Sequence, residues 1–424
     1  MIEPLAASTD RLLGVDLTEP ELYRNGFPHE LFTELRRHGS VFRHPRAFVP
    51  SQPDGVEFWA VIGHPEVQRV DRDWKTFTCT EGPSLATRRT GRRTASIVTL
   101  DPPAHTRLRG LINSGFTPRM VARLADLCVR RINDALDKVA EREGECDFVH
   151  DVAYQVPMHM IADIVGIPDA ERPEIFAATE KLWRAGDPSS PITPQEGIAA
   201  QAEVYKYGVQ LAAEKRAHPT DDVLSILASA EIETDDGQRT RLQDHELENF
   251  FFILTLAGSE TTTNAIVQGL VALLEHPDQL ASLRAERGLF DAATEEILRW
   301  SCPVTLFGRV ATRDVELGGC TIRAGERVTM WYPSANRDER AFDEPFHFDI
   351  RRRPNPHVSF GGGGVHYCMG ANLARLEIRT VFDQLLTRFP DIESTGPLEW
   401  GVASPDQNGA ATPIRFPVRL GAPA

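Results

Sequence analysis

The sequence predicts a mainly α-helical fold with a minor β region. Three observations carry that reading. Apolar residues recur at helical spacing through most of the span 103–301. Apart from the C-terminal tail, strand-like alternation is found in two short stretches, 41–62 and 310–331. No repeat and no Gly/Ser-rich linker divides the 424 residues, so one large single domain over 1–424 is expected.

Taken in order, residues 1–22 read as a loose leader. A helix is expected over 27–38, with Leu31 and Leu35 one turn apart on one face. The stretch 41–62 reads as strands broken by Pro50, Pro53 and Gly55. Residues 75–100 form a long irregular segment, the kind that often serves as a lid. Thr117-Pro118 marks an N-cap and first turn, opening a helix to about residue 143. Further helices are expected over 152–166, 171–184, 194–216, 244–275, 276–286 and 289–301. Turns at Gly318-Gly319 and Ala324-Gly325 punctuate the second strand-like stretch. A last helix is expected from Cys368 to about Phe389, followed by a strand-like tail. The β region is thus assigned to 23–75 and 306–331, and the helical core to 100–300 and 368–389.

Composition narrows the function. A net charge of −15 argues against nucleic-acid binding and against an anionic membrane surface. The apolar stretch 250–274 is interrupted by Glu260, Asn264 and Gln268, which reads as a buried core helix rather than a membrane anchor. The first residues carry neither a basic start nor an apolar run, so no signal peptide is expected. Six cysteines without C-x-x-C or zinc spacing suit a reducing cytoplasm.

The most informative stretch is Ser359-Phe360-Gly361-Gly362-Gly363-Gly364-Val365-His366-Tyr367-Cys368-Met369-Gly370. Glycines let a backbone turn tightly and approach a flat partner. A cysteine at a helix start is favoured as a thiolate, and a thiolate suits a haem iron. A buried structural cysteine is the plain alternative. A phosphate loop would want Gly-Lys-Ser/Thr where Cys368-Met369-Gly370 stands.

The stretch resembles the haem-binding loop of the cytochrome P450 superfamily, Phe-Gly-x-Gly-x-His-x-Cys-x-Gly. Gly362, Gly364, His366, Cys368 and Gly370 match it residue by residue. Phe360 stands one position too far from Cys368, so the loop carries one extra residue. The resemblance implies a prism-shaped P450 fold, haem b as cofactor and Cys368 as the iron ligand.

Four further segments align with the family in order. In Leu256-Ala257-Gly258-Ser259-Glu260-Thr261-Thr262, the glycine is expected to open a face for dioxygen. The resemblance implies that Glu260 relays protons and that Thr261 orders a water; a core helix with a back-bonded Thr is the alternative. Glu296 and Arg299 lie at i and i+3. By resemblance they form a buried structural pair, with a third partner expected in Asn336-Arg337-Asp338; by themselves they read as a surface ion pair. His105 and Arg109, at i and i+4, are implied to meet one haem propionate, and Arg309 and His357 the other; singly, each reads as a surface cation. Ala257 and Phe360 are also implied haem neighbours.

The chain shows no flavin or iron–sulfur motif, so electrons are expected from a ferredoxin and a ferredoxin reductase fed by NAD(P)H. Arg107, Arg351, Arg352, Arg353 and Arg375 form a possible docking patch. Leu85, Ile97, Val98, Leu182, Trp183, Leu256, Val304, Leu306, Phe307 and Val402 fall in the family's substrate-lining segments, and their apolar character implies a lipophilic small molecule. Arg88, Arg89, Arg92 and Arg93 are read as solvent-facing. The haem half resembles the actinobacterial branch that oxidises steroid side chains and branched-chain lipids. The expected reaction is O2-dependent hydroxylation by a monomeric enzyme. Tailoring of a polyketide, peptide or aromatic metabolite, a peroxide-driven reaction and a non-catalytic haem sensor are the alternatives.

Overall fold

The computed structural model describes residues 14–49, 52–85, 96–115, 118–185, 187, 190–233, 237, 239–402 and 411–423. Among them the chain forms two compact units. One comprises residues 1–91, 295–369 and 402–412; the other comprises 92–294, 370–401 and 413–424.

The first unit is built on a five-stranded sheet. Its strand order is Val41–Val49, Gln52–Val61, Arg327–Trp331, Leu306–Ala311, Phe77–Thr78. Only the pairing of Arg327–Trp331 with Gln52–Val61 is parallel. Arg327–Trp331 is buried at every position, as a central strand covered on both faces should be. One face packs Phe32, Leu35, Phe42, Phe58 and Trp331; the other packs Val67, Val70, Phe77, Met330, Tyr332 and Val358.

The leader differs from expectation at its C-terminal end. Leu17 is fully buried, its N–H reaches His44 Nε2 at 2.9 Å, and its carbonyl accepts from the Tyr23 hydroxyl at 2.7 Å. Residues 17–23 are therefore anchored by an apolar plug. A helix at His64–Arg72 also stands where only β structure was expected. Its signals were short: Pro65 in the first turn, and Val67 and Val70 as the buried pair.

The second unit is mainly helical, with a small sheet of Glu393–Ser394, Pro417–Arg419 and Glu145–Asp147 outside the β region expected from sequence. Asp244–Glu275 runs through it and packs against Gln155–Val165, Pro194–Ala217 and Ala371–Arg388. This helix is long and apolar enough to cross a bilayer, yet 61% of its apolar window is buried inside the protein. A short helix, Val223–Ser229, also escaped the sequence reading. Asp222 caps it, accepting from Ser225 N at 2.7 Å. The last helix begins at Ala371, not at Cys368: Ala374 N reaches Gly370 O at 2.9 Å, and Gly370 is the cap.

Ala371–Arg388 carries a buried acid, Glu377, which is 1% exposed. Burial pushes its carboxyl up to about 8, against a lowering hydrogen bond with Thr262. Its ordinary value is 4.5. Between those two pH values the folded chain holds one proton more than the unfolded chain, so this group makes stability fall as pH rises, by about 1.4 kcal/mol per pH unit at most. Glu377→Gln is expected to match the wild type in thermal midpoint near pH 4.5 and to exceed it near pH 8. Identical pH profiles for the two proteins would contradict a neutral Glu377.

Candidate functional site

Four glycines in a row have a definite reason in the first unit. Gly361, Gly363 and Gly364 take φ of +91°, +103° and +83°, where a side chain is strained. Gly362 does not, but a Cβ there would stand 2.7 Å from Gln68 Cα, and one on Gly364 would stand 2.6 Å from Asp71 O. The loop is thus laid directly on helix His64–Arg72. Asp71 Oδ2 accepts from Gly362 N at 2.6 Å, and Arg72 Nε donates to Gly362 O at 2.8 Å.

Cys368 N donates to Phe360 O at 3.0 Å, closing the loop so that Phe360 lies beside the cysteine backbone despite the extra residue. The Phe360 ring packs edge-on to Tyr367 at 6.3 Å and lies 6.0 Å from His357. Cys368 sits in this loop before the helix and is the exposed cysteine among the described residues. Cys79, Cys128, Cys302 and Cys320 are buried, and Cys146 is half-buried.

Glu296 and Arg299 are completely buried and face each other through two hydrogen bonds, of 2.8 and 2.7 Å. Glu296 also accepts from Asp349 N at 2.9 Å, Asn355 Nδ2 at 3.1 Å and Arg352 Nε at 3.3 Å. Burial works to raise this carboxyl; the Arg299 hydrogen bonds and charge, the Asp349 N–H and Arg352 outweigh it and hold it below the ordinary value. The expected third partner lies in the stretch named: Asn336 O accepts from Arg299 Nη1, and Arg337 Nη1 donates to Arg299 O. Arg352 is a further cation on Glu296, absent from the sequence reading. Arg352 is only 9% exposed in its side chain, so it leaves the docking patch; Arg351 and Arg353 stay exposed.

The cations expected at a propionate already have acids. Arg309 Nη2 lies 3.4 Å from Asp71 Oδ1, and both are buried. Burial raises the Asp71 carboxyl above its ordinary value, partly offset by Arg309 and the Gly362 N–H. His357 Nε2 faces Glu295 Oε2 at 3.0 Å, and its Nδ1 accepts from Ser359 N at 3.3 Å. Glu295 is thus the acid beside His357 in the first unit. His366 Nε2 lies 3.3 Å from Cys79 Sγ, a contact the sequence reading missed.

In the second unit, His105 is 1% exposed on helix Ala104–Gly115 and shares a turn with half-buried Arg109. Burial lowers the imidazole, the Arg109 charge lowers it further, and Asp101 opposes them. On Asp244–Glu275, Gly258 does not open onto a free face: a Cβ there would meet Ile161 Cδ1 at 2.4 Å, so helix packing accounts for the glycine. Ala257 is exposed and Glu260 half-buried. Thr261 Oγ1 donates to Ala257 O at 2.9 Å, which leaves the hydroxyl oxygen able to accept.

The apolar candidates divide. Leu85, Leu306 and Val402 belong to the first sheet core, while Val304 and Phe307 lie at the edge of the second. Ile97 is buried in the turn Ile97–Thr99 and borders a small cavity with Leu108, Asn249 and Phe250. Val98, Leu182 and Leu256 are half-buried. The Trp183 side chain, Arg88, Arg89, Arg92 and Arg93 lie outside the described residues.

Comparison with known proteins gives a consistent answer. The cytochrome P450 family model matches residues 201–393. Cytochrome P450 126 of Mycobacterium tuberculosis is 42% identical over 400 residues, covering 92% of this chain and 94% of that protein. A steroid C26-monooxygenase of Rhodococcus jostii is 37% identical over 90% of this chain and 80% of its own length. Among solved structures, a Mycobacterium marinum cytochrome P450 in complex with pseudoionone superposes with a TM-score of 0.86 at 35% identity, covering 98% of this chain and 100% of that one.

The Glu296 cluster yields a prediction. Glu296→Ala strands two buried guanidinium groups, which costs about 3–5 kcal/mol. The expected readout is a large fall in the thermal midpoint together with loss of soluble protein. A loss below about 1 kcal/mol, the range of an exposed pair, would show that the cluster is not a structural centre.

Proposed function

The chain belongs to the cytochrome P450 family of oxygen-incorporating oxidoreductases with a cysteine-ligated haem b, and from that premise we propose that it hydroxylates a lipophilic small molecule of the steroid or terpenoid class. The observation that carries this reading is Cys368: an exposed soft donor at the end of a glycine-rich loop, just before the last helix.

The residues fit the cofactor. Cys368 offers the sulfur, the glycines let its loop turn, and by the family resemblance Arg309 would meet one carboxylate and His105 with Arg109 the other. When bound, haem supplies dioxygen binding and reductive O–O cleavage, with one oxygen entering the substrate and the other leaving as water. The protein must deliver two protons and keep other water out. Glu260 is half-buried and so can take a proton from solvent. The Thr261 hydroxyl, fixed by its bond to Ala257 O, can hold one water and pass the proton on. This acid–alcohol pair favours electron-driven oxygen chemistry over a peroxide-driven reaction, which needs no proton relay. Apolar Ile97, Val98, Leu256 and Phe307 suit a lipophilic substrate, and the named substrate of one relative and the ligand of one solved structure are of the same kind.

Two variants test the proposal. Cys368→Ser should lose the red-shifted Soret band of the reduced carbon monoxide complex. Thr261→Ala should keep that band but divert electrons from product to peroxide. A wild type without the band, or full coupling in Thr261→Ala, would refute the corresponding role.

Electrons would come from a ferredoxin and its reductase, with NAD(P)H as source, acting on a cytoplasmic, monomeric, single-domain enzyme. Exposed Arg351 and Arg353 on a chain of net charge −15 form a local cationic spot for an acidic partner. Reversing both to Glu should slow reduction by ferredoxin severalfold at low salt and leave substrate affinity unchanged. An unaltered reduction rate would remove these residues from docking.

A further inference from the structure

One buried acid outside the family loop remains without a role. Asp71 is 4% exposed near the end of helix His64–Arg72. Its Oδ2 takes the Gly362 N–H at 2.6 Å, and both oxygens lie within 3.3 Å of the Tyr332 hydroxyl. Its Oδ1 lies 3.4 Å from Arg309 Nη2. The adjacent Arg72 grips the same glycine from the other side, through Gly362 O at 2.8 Å. A buried carboxylate is costly unless its oxygens are met by donors, and here the donors come from three separate segments.

We infer that Asp71 is a positioning residue for haem: by holding Gly362 N and Arg309 at once, it sets the seat of the Cys368 loop and the charge that Arg309 can present. The loop is one residue longer than the family pattern, and its glycine run 361–364 has no side chains to fix its path. Asp71 and Arg72 supply that fixing from the helix beneath it. The same carboxylate neutralises part of the Arg309 charge, so the field at a cofactor carboxylate held by Arg309 depends on Asp71. The inference rests on the proposed haem-thiolate site and adds a residue that touches neither iron nor substrate.

Asp71→Asn and Asp71→Ala separate the two roles in the haem-loaded enzyme. The amide keeps the shape and one acceptor for Gly362 N but removes the charge; alanine removes both. For Asp71→Asn the expected result is a retained thiolate band with an iron reduction potential shifted in the positive direction, because Arg309 loses its counter-ion. Asp71→Ala is expected to lose much of the thiolate band and to release haem to a scavenging globin about tenfold faster, the effect of one charge-assisted hydrogen bond. A purely structural Asp71 would lower the thermal midpoint of both variants and leave potential, band and release rate at wild-type values; that result overturns the inference. If Asp71→Ala gives no folded enzyme, Asp71→Asn decides alone, and an unshifted potential refutes the role. A wild type without a thiolate band would instead refute the haem-thiolate reading itself.

Discussion

A single buried carboxylate, Glu296, is the constraint on which much of the first unit depends. It has no contact with solvent and accepts from Arg299, Arg352, Asn355 and the Asp349 backbone. An unpaired charge in that position would be prohibitive, and so would an unpaired Arg299. The chain between residues 336 and 359 has almost no regular structure, and this cluster supplies several of the bonds that order it. Arg299 donates to the carbonyls of Asn336, Pro345 and His347; Asn336 in turn accepts from Val358 N and donates to Ser359. The irregular segment is held by charge-assisted hydrogen bonds where a helix or sheet would use its own ladder. Those bonds end at Ser359, where the cysteine loop begins.

The loop itself is fixed by a second device, the close approach of backbone to backbone. Positive φ at three glycines and the absence of room at the fourth let the loop lie on helix His64–Arg72. Each glycine costs conformational entropy in the unfolded chain, and the interactions with Asp71 and Arg72 offset it locally. This explains how one extra residue is accommodated. The Cys368 N–H meets Phe360 O, which closes the longer loop at the cysteine.

The second unit is governed by ordinary helix packing, and the glycine of its central helix shows how a local motif can mislead. Gly258 sits beside an exposed Ala257 and a half-buried Glu260, which invites a reading as open space. Ile161 fills that space. Glu377 is the converse case: nothing in Ala371–Arg388 marks it as unusual, because burial raises its carboxyl and the Thr262 hydrogen bond only partly offsets that.

The sequence by itself determined the family resemblance, the helical majority, the placement of most helices and the cysteine loop. These are properties of residue type and short spacing: apolar periodicity, a glycine run before a cysteine, an acid and a base three apart on one helix. Tertiary structure alone decided which partners close the buried charges. It added Arg352 to the Glu296 pair, set Glu295 against His357, paired Arg309 with Asp71, and moved Cys368 out of the last helix. The physical reason is that a buried charge takes the nearest donor or acceptor in space, and the fold joins Asp71 to Arg309 and Gly362 across 238 and 291 residues. No local pattern can encode such a pairing, and the short helix His64–Arg72 that makes it possible showed only two buried valines and a proline.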